Sequence, residues 1–428
     1  MSKHLHLLET VSEISSAAAE LGIAHQVTED NYLDGRLIHV KGKELINFGS
    51  CSYLGLELDK RLKDAAIDAI TRYGTQFSSS RSYMSVTPYR DAEGMLADIF
   101  DKPVVLAPTV TLAHISAIPV LVDDNDIVIT DSQVHASVAT AVELLKARRI
   151  PVEMVRHNNM EALEQRLQEL CPKYNKVWYM ADGVYSMYGD FMPVNEVVAL
   201  LDKYDNFNTY IDDSHGMSWA GKNGSGYVLS QVEMHPKMFI TTGLAKSFGV
   251  CGGVMIFPDE KTKTLVRHCG KTLMFSGPIQ PANLGAICAS AKIHLSKEIY
   301  VLQDKLEDRI NYFRRLAAKY NVPLIGDGRS PIFFVGLGRP KTGYSMVRKM
   351  MNRGFFANLS VFPSVSYKHT GLRIPITLHH SFDDIENLLA TIAEELPEAL
   401  NDAGSNMEEI YRAFNIPEKK VVLQKRIA

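Results

Sequence analysis

Two stretches decide the fold: Tyr210-Ile211-Asp212-Asp213-Ser214-His215-Gly216 and, downstream, Thr241-Thr242-Gly243-Leu244-Ala245-Lys246-Ser247-Phe248-Gly249. Each continues a short apolar run and turns polar where that run ends. In α/β sheets, ligands gather outside the carboxyl ends of the strands. The first stretch therefore puts two carboxylates and an imidazole where a ligand would bind, although a metal site or a capped turn would use the same residues. The second puts a lysine among small and apolar neighbours. That setting disfavours the ammonium and makes the amine a better nucleophile. A lysine snorkelling from a strand end reads the same way when taken alone.

Working outward, mainly apolar runs at 104–106, 127–130, 177–180, 209–211 and 238–241 read as buried strands. Amphipathic segments at 160–170 and 196–204 separate several of them. Alternation of this kind predicts a mostly parallel sheet covered on both faces. Upstream, Leu5, Leu8, Val11 and Ile14 stand near helical spacing and predict a helix over 3–21, followed by a strand pair over 37–48. After Gly277 the pattern changes to a long helical region over 282–320 and shorter strands at 331–336 and 372–377. A final helix opens on Ser381 and Asp384, a capping box, and carries Ile385, Leu388, Leu389, Ile392 and Leu396 on one face. The expected organisation is an N-terminal helix-and-strand segment (1–60), a large α/β domain with a mostly parallel seven-stranded sheet (61–290), a smaller C-terminal α+β domain (291–400) and an extension (401–428).

Composition narrows the function classes. The 428 residues carry 46 basic and 49 acidic side chains, a net charge of -3. That balance gives no basis for nucleic acid or an anionic membrane as partner. A short basic cluster at Lys419, Lys420, Lys425 and Arg426 reads as a solvated tail. The five cysteines (Cys51, Cys171, Cys251, Cys269, Cys288) are odd in number and lack metal or redox spacing. No disulfide framework and no metal are expected, and the compartment should be reducing, hence cytoplasmic. Glu9 and Glu13 interrupt any signal-peptide core. Residues 104–122 contain no formally charged side chain, yet Pro108, Thr109, Thr111, His114, Ser116 and Pro119 make them too polar for a lone membrane span. A strand running into a buried helix explains them better.

Read together, the two opening stretches become more specific. A strand-end Asp212 followed 34 residues later by a strand-end Lys246 is what pyridoxal phosphate (PLP) requires. The cofactor needs an amine for a Schiff base and a carboxylate that keeps its pyridine nitrogen protonated, so that the ring acts as an electron sink.

Further segments stand in a recognisable order. Ile46-Asn47-Phe48 precedes Tyr53-Leu54-Gly55-Leu56, and Tyr73-Gly74-Thr75 precedes Ser79-Ser80-Arg81. Asp131 is followed by His135-Ala136-Ser137, and Asp182-Gly183-Val184-Tyr185-Ser186-Met187 by Gly189-Asp190. Phe275-Ser276-Gly277-Pro278, Ser330-Pro331-Ile332 and Gly371-Leu372-Arg373-Ile374 complete the set. From about Ile46 to about Glu395 the chain resembles the α-oxoamine synthase family of fold-type I PLP-dependent transferases.

The resemblance implies roles for particular residues. Lys246 would hold the cofactor and move the substrate's α-proton, Asp212 would bond the ring nitrogen, and His135 would stack on the ring face. Ser186 and His215 would bond the phenolic oxygen, with Asp182 beside the ring or substrate. His215 would also face the thioester oxygen as charge develops there. Thr109 and Val110, where a strand turns into a helix, would hold the phosphate. Ser276 would reach the phosphate of a neighbouring subunit, which implies a homodimer with the active site at the subunit interface. Arg373 would clamp the amino acid's carboxylate.

Three positions depart from the family pattern. Gly243 stands where members have a phosphate-bonding Thr, which leaves Thr242, Thr241 or Ser247 to substitute. Ser52 stands before the Tyr-Leu-Gly segment where many members have Asn, so it should shape the substrate pocket. Pro88, Tyr89 and Arg90 occupy a region where members often have His.

The implied activity is a decarboxylative condensation of a small α-amino acid with an acyl thioester, on coenzyme A or an acyl-carrier protein. It gives an α-amino ketone, CO2 and free thiol, in lipid or secondary-metabolite biosynthesis. A PLP-dependent aminotransferase would use the same Lys, Asp and stacking ring and differ in product. A non-catalytic partner subunit is the third reading, and Lys246, Asp212 and His135 all weigh against it.

Overall fold

The computed structural model describes residues 2–326 and 329–416. The basic cluster at Lys419, Lys420, Lys425 and Arg426 and the rest of the expected extension past 416 lie outside them. The chain divides into two compact units. One comprises Leu54–Ser186 and Phe191–Asp304; the other comprises Met1–Tyr53, Met187–Asp190 and Lys305–Ala428.

The chain enters with a helix, Lys3–Glu20, and two antiparallel strands, β1 (Leu37–Val40) and β2 (Lys43–Phe48). Seven strands follow in the first unit: β3 (Val104–Ala107), β4 (Ile127–Asp131), β5 (Val152–Val155), β6 (Val177–Asp182), β7 (Phe207–Asp212), β8 (Met238–Gly243) and β9 (Gly253–Ile256). They form one sheet in the order β3-β9-β8-β7-β6-β4-β5. Only β9 runs against the others, pairing antiparallel with both β3 and β8. Every residue of β6, β7 and β8 is buried, which is why these strands read as continuous apolar runs rather than as alternating ones. The crossovers between the parallel strands are helices, among them Ala136–Lys146, Met160–Leu170 and Val194–Lys203.

The uncharged segment 104–122 is a strand, β3, and then a helix, Val110–Leu121. No helix among the described residues is long and apolar enough to cross a membrane. The long helical region expected over 282–320 is two helices, Pro281–His294 and Glu298–Lys319. Ser296 marks the break, where its hydroxyl accepts the Glu298 amide at 3.2 Å.

In the second unit β10 (Leu324–Ile325), β11 (Ile332–Gly338), β12 (Phe355–Ser360) and β13 (Thr370–Pro375) join the first two strands in a six-stranded sheet ordered β1-β2-β12-β13-β11-β10. The parallel pairing of β2 with β12 is what brings the N-terminal strands into this sheet. The helix Phe382–Ala403 starts with the expected capping box: Ser381 Oγ accepts the Asp384 amide at 3.1 Å, and Asp384 Oδ2 accepts the Ser381 amide at 2.8 Å.

Candidate active site

Asp182 and Asp212 are the last residues of β6 and β7 and stand directly beside each other in the sheet. Thr241 on β8 is the next neighbour of Asp212. The chain then leaves β8 through a loop that closes on itself: the Leu244 amide donates to the Gly252 carbonyl at 2.9 Å and the Val250 amide to the Leu244 carbonyl at 3.0 Å. Lys246 sits half-buried in that loop. Its ammonium acts electrostatically on Asp182, Asp212, Asp213 and His135. The strand ends thus gather the lysine, three carboxylates and the imidazole that the sequence singled out.

Asp212 is 4% exposed. Burial alone would push its carboxyl up. The His114 imidazole beside it, the Lys246 ammonium and the Ser214 hydroxyl together outweigh burial and hold it well below the usual carboxylate range. Asp182 has the opposite fate, raised well above that range by burial and by the charge on Asp212. Two adjacent buried carboxylates cannot both ionise cheaply, and the one beside the Lys246 ammonium, with hydrogen bonds from His114 and Ser214, keeps the charge.

His135 caps the helix Ala136–Lys146. Its Nδ1 accepts the Ser137 amide at 3.2 Å and meets the Ser137 hydroxyl at 2.7 Å, and its own amide donates to Asp182 Oδ1 at 3.0 Å. These bonds fix the ring's direction and leave it exposed. His215 is buried in the turn after β7, its carbonyl taking the Trp219 indole N–H at 2.5 Å. Ser186 is half-buried in the turn after β6.

Thr109 is the N-cap of the helix Val110–Leu121; its hydroxyl accepts the Leu112 amide at 3.2 Å. The first amides of a helix have no intrahelical acceptor and carry partial positive charge, which suits an anion. Gly253 on β9 leaves room there, since a Cβ on it would lie 2.6 Å from the Val110 nitrogen. Thr242 turns away from this end. Its hydroxyl donates to the Asp213 carbonyl at 3.1 Å, while the side chain position at Gly243 faces Val110 and Ser214. Ser276 follows the short helix Lys271–Phe275, and among the described residues no hydrogen bond joins it to the Asp212 cluster.

PLP needs an amine, an ionised carboxylate, a stacking ring and an anion cradle. An amine at Lys246, an ionised carboxylate at Asp212, an open ring at His135 and an anion cradle at the Val110 amide are all present in one unit. The residues fit the cofactor.

In the other unit Arg373 lies on β13, mostly buried, with its guanidinium donating to Cys51 Sγ at 3.3 Å and hydrogen-bonded to the Tyr53 phenol. Ser52 is half-buried between these two, with its amide on Ser50 Oγ at 3.2 Å. Sequence reasoning put the weight on Ser52 and passed over Cys51, which with Tyr53 touches the arginine. It also passed over His114, whose Nε2 is 3.0 Å from Asp212 Oδ2. The one available signal for His114 was an imidazole inside an otherwise apolar helix.

Comparison with known proteins agrees with the geometry. Residues 43–392 match the family model for class I and II aminotransferases. The chain is 31% identical over 401 residues to the 8-amino-7-oxononanoate synthase of Thermoanaerobacter pseudethanolicus, covering 93% of this chain and 99% of that one. It is likewise 31% identical over 390 residues to the enzyme of the same name from Treponema denticola, covering 90% and 95%. Among solved structures, the fold is similar to serine palmitoyltransferase from S. paucimobilis with a bound PLP–myriocin aldimine, with a TM-score of 0.84, 21% identity and coverage of 93% and 99%. The 8-amino-7-oxononanoate synthase of Francisella tularensis is similar at a TM-score of 0.68, with 19% identity and coverage of 83% and 98%.

Proposed function

Because this chain belongs to the class I and II aminotransferase family, among its α-oxoamine synthases, we propose that it joins a small α-amino acid to the acyl group of a thioester, with PLP as cofactor. CO2 and free thiol are released and an α-amino ketone is formed. The observation that carries this reading is the buried, ionised Asp212 at the end of β7 with Lys246 on the loop leaving the adjacent β8.

Bound there, PLP supplies an aldehyde carbon that an amine can take up and a ring that draws electrons from the substrate's α-carbon. The residues of the chain do the rest. Asp212 would hold a proton at the ring nitrogen, and Lys246 Nζ would anchor the cofactor. Lys246 Nζ would also be the base that takes the substrate's α-proton. His135 would cover the ring face, and Ser186 and His215 would bond the phenolic oxygen. His215 also donates toward the thioester oxygen as negative charge grows on it. Arg373 binds the substrate carboxylate with a planar fork already held by Cys51 and Tyr53. Carbon–carbon bond formation breaks the carbon–sulfur bond and the thiol leaves. The carboxyl then departs as CO2, and a proton takes its place.

The same reading makes the protein a homodimer in which Ser276 of each chain serves the other's phosphate. Tyr83, Met84 and Phe275 support it, being 89%, 55% and 83% exposed. Ser80 Oγ donates to the Met274 carbonyl at 2.7 Å and ties the turn before Tyr83 and Met84 to the short helix that ends at Phe275. Soluble proteins commonly cover an apolar patch of that kind with a partner. Five free cysteines support a reducing, cytoplasmic location.

Thiol release tests the reading. Purified protein with PLP is mixed with a panel of acyl-coenzyme A donors and small amino acids. Release that needs both partners is expected. Transfer of the amino group to a keto acid, with no thiol released from coenzyme A or carrier-protein donors, would overturn it.

A further inference from the structure

His114 is fully buried, and both of its ring nitrogens are engaged. Nε2 lies 3.0 Å from Asp212 Oδ2, and Nδ1 lies 2.9 Å from the Tyr210 hydroxyl. That hydroxyl lies 2.6 Å from Thr241 Oγ1. Tyr210 and Thr241 are each 1% exposed. A continuous polar chain, Thr241–Tyr210–His114–Asp212, therefore runs through the core and ends on the buried Asp212 carboxylate.

Chemistry fixes one end of it. An ionised carboxylate only accepts, so Nε2 of His114 carries the hydrogen. At the other nitrogen two arrangements are open. A neutral ring accepts from Tyr210, which accepts from Thr241; a cationic ring donates to Tyr210, which donates to Thr241. The two differ by one proton and the rotation of two hydroxyls.

Counting acceptor sites on Asp212 gives the second half of the argument. A carboxylate offers about four lone pairs, two on each oxygen. Oδ1 takes the Ser214 amide at 3.0 Å and the Ser214 hydroxyl at 2.5 Å. Oδ2 takes His114 alone. Among the described residues, the one lone pair left over is on Oδ2, the oxygen that His114 already holds.

We propose that His114 is a positioning residue for the cofactor ring: it shares Asp212 Oδ2 with the ring nitrogen, aims the remaining lone pair, and through Tyr210 and Thr241 sets the charge that the ring proton meets. This rests on the PLP reading of the site and adds to it a residue that acts through Asp212 without touching substrate. The titratable groups facing His114 are Asp212 and Tyr210 on β7 and His135 at the head of the next helix. Lys246 reaches the relay through Asp212.

The test uses the apo protein titrated with PLP, following the visible absorbance of the bound cofactor and the pH midpoint of that band. Wild type is compared with His114→Gln and Tyr210→Phe, and the melting temperature of each apo protein is recorded. Glutamine can offer Asp212 an amide N–H but carries no charge. Phenylalanine keeps the Tyr210 ring and cuts the relay, and it decides the matter alone if His114→Gln does not fold. The expected result is PLP binding weakened by about tenfold in His114→Gln. The midpoint should also move by roughly half a pH unit or more in both variants. A lowered melting temperature with unchanged affinity and midpoint would reduce His114 to a core residue and overturn the proposal. Wild-type protein that gives no band with PLP would overturn both the proposal and the cofactor reading.

Discussion

Asp182 and Asp212 stand side by side at the ends of β6 and β7, and their surroundings push the two carboxyls in opposite directions, Asp182 up and Asp212 down. The cause is the set of neighbours. Asp212 has His114, Lys246 and Ser214 to stabilise its charge, whereas Asp182 meets burial and a negative neighbour before it meets any donor. The Asp212 surroundings favour the charged carboxylate, and the Asp182 surroundings disfavour it.

That asymmetry predicts unequal mutants. Asp182→Asn should keep an oxygen for the His135 amide and retain PLP binding, with turnover reduced by no more than about tenfold. Asp212→Asn removes the charge at the ring nitrogen and should lower kcat by on the order of a hundredfold or more. Steady-state thiol release on the two variants, side by side, checks this. Equal losses would contradict the assignment of charge.

Asp213 gives a pH signature. Burial pushes its carboxyl up to about 8, against hydrogen bonds from the Val228 and Tyr227 amides. A group whose pKa is raised on folding gives its full stability below the unfolded pKa and loses it as pH rises through the folded value. The penalty therefore grows between about pH 4 and pH 8. The melting-temperature difference between Asp213→Asn and wild type should move in the variant's favour across that window and level off above it. A difference independent of pH would show that the carboxyl does not titrate in this way.

Gly253 predicts a steric effect at the anion cradle. A Cβ there would lie 2.6 Å from the backbone nitrogen of Val110. Gly253→Ala should destabilise the apo protein by about 1–3 kcal/mol and weaken PLP binding, because the Val110 amide has to move. Calorimetry and a cofactor titration read the two effects separately. Unchanged cofactor affinity would remove the Val110 amide from the phosphate site.

Arg373 predicts a change confined to the amino acid. Lysine cannot reproduce a planar fork that bonds a carboxylate while resting against Cys51 and Tyr53. Arg373→Lys should raise the KM for the amino acid by about tenfold or more, with a smaller change in the KM for the thioester. A matched rise in both would point to a general loss of structure.

Much of this was legible in the sequence because the strands that carry the chemistry are buried on both faces. β6, β7 and β8 announce themselves as apolar runs, and Asp182, Asp212 and the loop of Lys246 come where those runs stop. The capping box at Ser381 and Asp384 was legible for a local reason, since both partners lie within one helical turn. β5 was not, because it is four residues long and half exposed, with Met154 69% exposed. β9 escaped notice because its reversal depends on the loop after Lys246 folding back on itself. The break at Ser296 carries neither proline nor glycine, so one long helix was the natural reading. His114 and Cys51 were missed for a different reason. Each matters through a contact with a residue far away in the chain, Asp212 and Arg373, and no periodicity along a single segment records such a contact.

The most direct test is to trap the cofactor where it is held. Protein loaded with PLP is reduced with borohydride, digested, and its peptides mapped by mass, with Lys246→Ala treated in parallel. The pyridoxyl group should appear on Lys246 and be absent from the variant. A pyridoxyl group on another lysine, or on none, would contradict the site described above.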